Sequence, residues 1–172
     1  MTIFKLSMCE DFTDASCIRF CEELDTIYKK AQKGDELLIT IDSNGGIVFG
    51  LLNIMNTLEL LKKKKKVRIT TYNKRKAYSC GAVLFSAGQD RIIHPTADIL
   101  VHQVSYGVRG PHHEIQKAVE EANEINLKLF SIMSKNVKIP VKKLLSKCNE
   151  KDWVFNSEEA VQNGFATDTD II

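Results

Sequence analysis

The sequence predicts an α/β domain in which short, mostly parallel strands alternate with amphipathic helices, and three observations carry that expectation. Segments whose apolar residues recur every three or four positions alternate with short β-branched runs, the pattern of helices laid on a sheet. The 172 residues sit just above one typical domain length. At 44% hydrophobic and 27% charged residues, with no repeat, low-complexity tract or linker, residues 1–172 are expected to bury one core as a single domain.

From Thr13 or Asp14 to Gln32, the spacing of Ile18, Cys21, Leu24, Tyr28 and Ala31 predicts a helix that Gly34 ends. Glu36 to Ile41 is apolar on both faces, as in a buried parallel strand. The run Asp42-Ser-Asn-Gly-Gly46 breaks it, and Ile47, Leu51, Ile54, Leu58 and Leu61 mark a second helix. Lys62 to Lys66 suit the negative end of that helix's dipole, either as a solvated terminus or as a patch for polyanions. Val67 to Tyr72 reads as a strand, with Lys74, Arg75 and Lys76 in a loop beyond it. Ser79 to Ala87 reads as a short buried helix with Gly88 at the position just past its end. Arg91–His94 and Ile99–Val104 read as strands around a Pro95 turn. Pro111 opens the longest helix, striped by Ile115, Val119, Ala122, Ile125, Leu129 and Ile132. Pro140 opens another helix through Leu144 and Leu145, and Asn156 with Glu159 forms a capping box before a helix that Gly164 ends.

Charge and cysteine usage narrow the function. With 24 Lys and Arg against 22 Asp and Glu, the net charge of +2 lacks the basic footprint of a dedicated nucleic-acid binder. No apolar run approaches the roughly 18 residues that cross a bilayer, and the opening MTIFKLSMCEDF carries acids where a signal peptide carries an apolar core. The five cysteines contain no C-x-x-C pair and fit free thiols in a reducing compartment, so a cytoplasmic protein without membrane partner is expected. Cys17, Cys21, His112 and His113 are conceivable metal ligands, but adjacent histidines point apart, and neither a metal nor a cofactor is expected.

Chemistry concentrates at four places. Gly45 and Gly46, after a strand and before a helix, serve either as a packing turn or as an oxyanion site built from backbone N–H groups. Ser79, at a strand-to-helix junction with the Cys80 N–H beside it, is either a helix cap or a nucleophile. His102 interrupts the apolar strand Ile99 to Gln103, as a satisfied buried histidine or as a general base held more firmly than His94, His112 or His113. Asp152, before Trp153-Val-Phe155, is a strand-edge acid or the group that orients an imidazole.

Taken in order, Ser43-Asn-Gly-Gly46, Tyr78-Ser-Cys-Gly-Ala82, Leu100-Val-His-Gln103 and the run from Lys151-Asp-Trp to Ala160-Val161 resemble the Clp protease proteolytic subunits, ClpP, whose pattern is S-P-G-G, A-S-M-G-A, M-I-H-Q-P and R-D-x-F-x-S-x-E-A. The resemblance covers about residues 37 to 168. It implies a ClpP/crotonase-type fold of stacked parallel strands and helices with a protruding handle over about residues 104–136. By this likeness Ser79 is the nucleophile, His102 the base and Asp152 the orienting acid, with the Gly46 and Cys80 N–H groups as the oxyanion hole. It further implies a serine endopeptidase acting on peptides or unfolded proteins, assembled as a homo-oligomeric heptamer or as stacked heptamers that meet through the helix after Pro111. An acyl-CoA enzyme of the crotonase superfamily and a catalytically silent ring subunit are the rival readings.

Several positions depart from the pattern. Asn44 and Val104 replace prolines, and Tyr78 replaces a small residue. Lys151 stands for an arginine that pairs across rings, a bidentate contact that lysine does not reproduce, so weakened ring stacking is expected. The stretch before the oxyanion glycine is shorter than in the family. An absent axial gate, and no usual coupling to a Clp-type ATPase partner, are the corresponding expectations.

Overall fold

The computed structural model describes residues 1–149 and 151–171. In chain order the elements are β1 (Ile3–Met8), α1 (Asp14–Lys30), β2 (Glu36–Ser43), α2 (Val48–Leu60), β3 (Arg68–Tyr78), α3 (Cys80–Phe85), β4 (Asp90–Ile93), β5 (Asp98–Val101), α4 (His112–Ser134), α5 (Val141–Cys148), β6 (Trp153–Phe155), α6 (Ser157–Gln162) and β7 (Asp168–Thr169). The sheet runs β1-β2-β3-β4-β7, while β5 joins the far end of β3 and β6 joins β5. Every pairing is parallel except β5 with β6. The α/β class and the mixed arrangement of mostly parallel strands and helices match the expected fold.

Each element follows from local chemistry. Thr13 and Ser16 close a capping box at the start of α1, and Asn156 and Glu159 do the same for α6. Along β2, Leu37, Ile39 and Ile41 are fully buried and join Leu24, Leu51, Ile54 and Leu58 in one continuous core. The other face of β2 is only half-buried, so this strand alternates instead of being enclosed on both sides. The lysine run closes α2 with a single π-type turn over Leu61–Lys65 and a left-handed Lys66, with Lys63 paired to Glu59 at 2.8 Å.

Three further differences have clear causes. β1 was not expected, although Phe4, Leu6 and Met8 alternate with Lys5 and Ser7; Leu6 and Met8 are buried where the strand pairs with β2. Lys74, Arg75 and Lys76 form no loop. They belong to β3, where Ile41 faces Asn73 but Ser43 faces Ala77, so that β3 carries two more residues than β2 across the same interval. Gly88 does not adopt the left-handed conformation; it is glycine because a Cβ there would strike the Asp90 carbonyl and the Thr71 side chain.

The apolar stripe of α4 divides in two. Leu129, Phe130 and Met133 enter the core beside buried Asn126, whereas Ile115 and Val119 are 39% and 55% exposed. Helix α4 thus projects as the expected handle from a base fixed by Asn126, whose Oδ1 accepts the Val104 N–H at 2.8 Å. Among the described residues, no helix is long and apolar enough to cross a membrane.

Buried Arg91 joins β4 to the C-terminal segment, donating from Nε to the Phe165 carbonyl at 2.7 Å and from a terminal nitrogen to the Gly88 carbonyl at 3.0 Å. Desolvation lowers its pKa from the ordinary arginine value. Arg91→Leu strands these carbonyls and is expected to cost about 3 kcal/mol; urea unfolding of the variant beside the parent measures the loss.

Candidate active site

The site begins where β3 changes neighbour. Thr70 to Asn73 pair with β4, and Lys76 to Tyr78 pair with β5. The parallel ladder ends with the Ser79 N–H donating to the Leu100 carbonyl at 2.9 Å. Ser79 then turns the chain into α3 with φ +54° and ψ −117°, a conformation rare for a residue with a side chain. Strain of about 1–3 kcal/mol persists at such a position only where the surroundings over-determine it, and strained strand-to-helix turns of this kind expose nucleophiles. The Ser79 hydroxyl makes no cap bond to α3.

Facing this turn is the chain between β2 and α2. Gly45 and Gly46 have φ of +103° and +141°. A Cβ on Gly45 would stand 2.6 Å from that of Ser79 and 2.9 Å from the Tyr78 carbonyl, and one on Gly46 would collide with the Phe12 carbonyl. Both positions therefore need glycine for the backbone path and for the space. The exposed Gly46 N–H donates to no acceptor among the described residues. The Cys80 N–H lies in the first turn of α3, where a helix leaves its donors unpaired.

His102 is not mid-strand as the sequence suggested. β5 ends at Val101, and His102 follows it, half-buried. A cavity of about 20 Å³, room for roughly one water, is lined by Ser79, His102, Val48, Val104, Phe130 and Met133 among others. The remaining histidines are elsewhere: the Thr96 N–H donates to His94 Nδ1 at 3.2 Å, and His112 and His113 open α4 in exposed positions.

Asp152 is exposed and precedes β6 by one residue. Trp153 pairs with Val101 in the antiparallel register, and Asp152 and His102 are the residues next to that last pair. Among the described residues no hydrogen bond joins Ser79, His102 and Asp152. His102 follows β5, which lies between β3, whose end leads to Ser79, and β6, which begins just after Asp152.

Sequence reasoning credited Cys80 with its N–H alone, yet its side chain also contributes. The buried thiol donates to the Gly46 carbonyl at 3.1 Å, tying the two expected oxyanion donors to each other. Burial pushes this thiol up to about 11, and Cys148, whose thiol faces the Val101 carbonyl, is likewise pushed up to about 11, first by burial and then by Asp152. Thiols with folded values above the ordinary 9.0 hold their protons more tightly in the folded chain. Their contribution to stability is complete below pH 9 and drains away as pH rises toward 11. The urea midpoint should accordingly fall over that interval, and Cys80→Ala with Cys148→Ala should flatten the fall.

Residues 4–169 match the family profile described as Clp protease. The chain is 31% identical over 131 residues to the ATP-dependent Clp protease proteolytic subunit 2 of Chlamydia pneumoniae, and 30% identical over 131 residues to the ATP-dependent Clp protease proteolytic subunit of Deinococcus radiodurans. In both alignments 75% of this chain is covered, and the chain spans 62% of the relative's length.

Proposed function

Because the chain belongs to the Clp protease family, we propose that it is a serine endopeptidase, a single peptidase domain that hydrolyses peptides or unfolded proteins within a ring of its own copies. The observation that carries this reading is the strained Ser79 turn, seated on Gly45 and sharing a cavity with His102. In the reaction, Ser79 Oγ attacks the substrate carbonyl while His102 takes its proton, and Asp152 stabilises the imidazolium across the β5–β6 register. The negative oxygen of the tetrahedral intermediate is met by the Gly46 and Cys80 N–H groups. His102 returns the proton to the leaving amine, and water then releases the acyl group from Ser79 by the same steps. This chemistry requires no cofactor, so short peptides are cleaved without ATP.

Ser79→Ala should abolish covalent labelling by a fluorophosphonate, and Ser79→Ala or His102→Ala should each lower kcat by several powers of ten. Peptide mapping of the labelled protein checks the nucleophile, and undiminished labelling of Ser79→Ala would overturn the assignment. A catalytically silent subunit would leave the parent protein unlabelled.

The stacking of two rings rests on the exposed half of the α4 stripe, since contiguous apolar surface of this kind marks an interface. Mass measurement at micromolar concentration is expected to give a heptamer or a pair of stacked heptamers. Ile115→Asp with Val119→Asp should leave single rings. A monodisperse monomer would remove the enclosed chamber from the mechanism.

A further inference from the structure

We propose that Asp11, Asn44 and Lys76 form a polar brace that positions the Gly46 N–H for the oxyanion, making these three side chains positioning residues for the reaction; the proposal rests on the peptidase reading above.

A donor aimed at a developing charge lowers the barrier only as far as it is held in place before the reaction. The turn that carries this donor contains two consecutive glycines, the residues with the most backbone freedom to lose. Its restraint must come from outside, and the structure supplies it in layers. Asp11 Oδ1 accepts from both the Asn44 backbone N–H and the Asn44 side-chain Nδ2, each at 3.0 Å. Lys76 Nζ donates to the other end of the same amide, Asn44 Oδ1, at 2.5 Å. The Asn44 side chain is therefore clamped between a carboxylate and an ammonium, with its donor and acceptor ends each facing the matching partner.

The clamp continues into the backbone. Next to Asp11, the Phe12 N–H donates to the Gly45 carbonyl at 2.7 Å, and the Phe12 carbonyl accepts from the Ile47 N–H at 2.8 Å. This pairing closes an isolated bridge alongside Gly46. On the other side, Lys76 lies within the β3 bulge, where Arg75 Nε stands 3.1 Å from both Asp42 carboxylate oxygens. Where the family pattern has a proline to restrict the backbone, this chain has Asn44, and hydrogen bonds from two other segments restrict it instead.

The test uses the full-length protein with a short fluorogenic peptide, once Ser79-dependent cleavage by the parent has been established. Asp11→Ala and Lys76→Met should each lower kcat by roughly ten- to a hundredfold, with KM within about twofold and an unchanged melting temperature. Affinity for a peptide boronate, whose oxygen occupies the oxyanion position, should fall in step with kcat, while affinity for a product peptide should not. Asp11→Asn keeps a carbonyl oxygen where Oδ1 lies and should recover most of the loss. A parental kcat in Asp11→Ala overturns the brace alone. So does a loss shared equally by boronate and product, or one that Asp11→Asn fails to recover. Absence of Ser79-dependent cleavage by the parent overturns both the brace and the reading on which it rests.

Discussion

β3 keeps β2 along one edge but divides its other edge between two strands, β4 for its first half and β5 for its second. The two extra residues of β3 fall where its other edge passes from β4 to β5, and a bulge of this kind bends a strand and increases its twist. Arg75 and Asp42 hold the bend. From it follow the end point of β3 at Tyr78, the pairing of Ser79 with Leu100, and the lateral sequence of β3, β5 and β6, at whose ends Ser79, His102 and Asp152 lie.

Exposure at this junction is unevenly distributed for a physical reason. The groups that set backbone geometry are buried: Cys80 beneath the turn, Gly45 against Ser79, and Ser43, whose hydroxyl oxygen accepts the Gly45 N–H at 3.1 Å. Of the residues expected to meet a substrate, Ser79 and His102 are half-buried and Gly46 is exposed. Precision is thus supplied by packed atoms that cannot shift without opening voids, and access by a surface left unpaired. A thiol suits the position beneath the turn, since it fills space as a small hydrophobe and still offers a weak donor to the Gly46 carbonyl.

The handle reflects a second division of labour. Asn126, the one buried polar side chain of α4, satisfies the Val104 N–H, while Leu129, Phe130 and Met133 anchor the same turns in the core. Beyond that base the stripe continues through exposed Ile115 and Val119, and the helix is joined to the preceding segment by the Tyr106 hydroxyl, which donates to the Ala118 carbonyl. The apolar period was thus continuous in sequence, but only half of it serves this chain's own core.

The sequence by itself determined what depends on neighbours along the chain. The periods of α1, α2 and α4, the capping box at Asn156 and Glu159, and the glycine pair before α2 were legible because each signal lies within a few residues of its effect. The four motifs likewise named Ser79, His102, Asp152, Gly46 and Cys80 before any geometry was available. Tertiary structure decided the rest. Lys74-Arg-Lys76 looked like a loop because charged residues with no apolar alternation carry no strand signal, and only pairing with β2 and β5 makes them one. Trp153, next to Asp152, acquired Val101, next to His102, as its partner through the antiparallel register of β6, and Asn44 acquired Asp11 and Lys76 from segments 33 and 32 residues away. Such partners are chosen by the packing of whole strands against a shared core, a non-local constraint that no window of sequence contains.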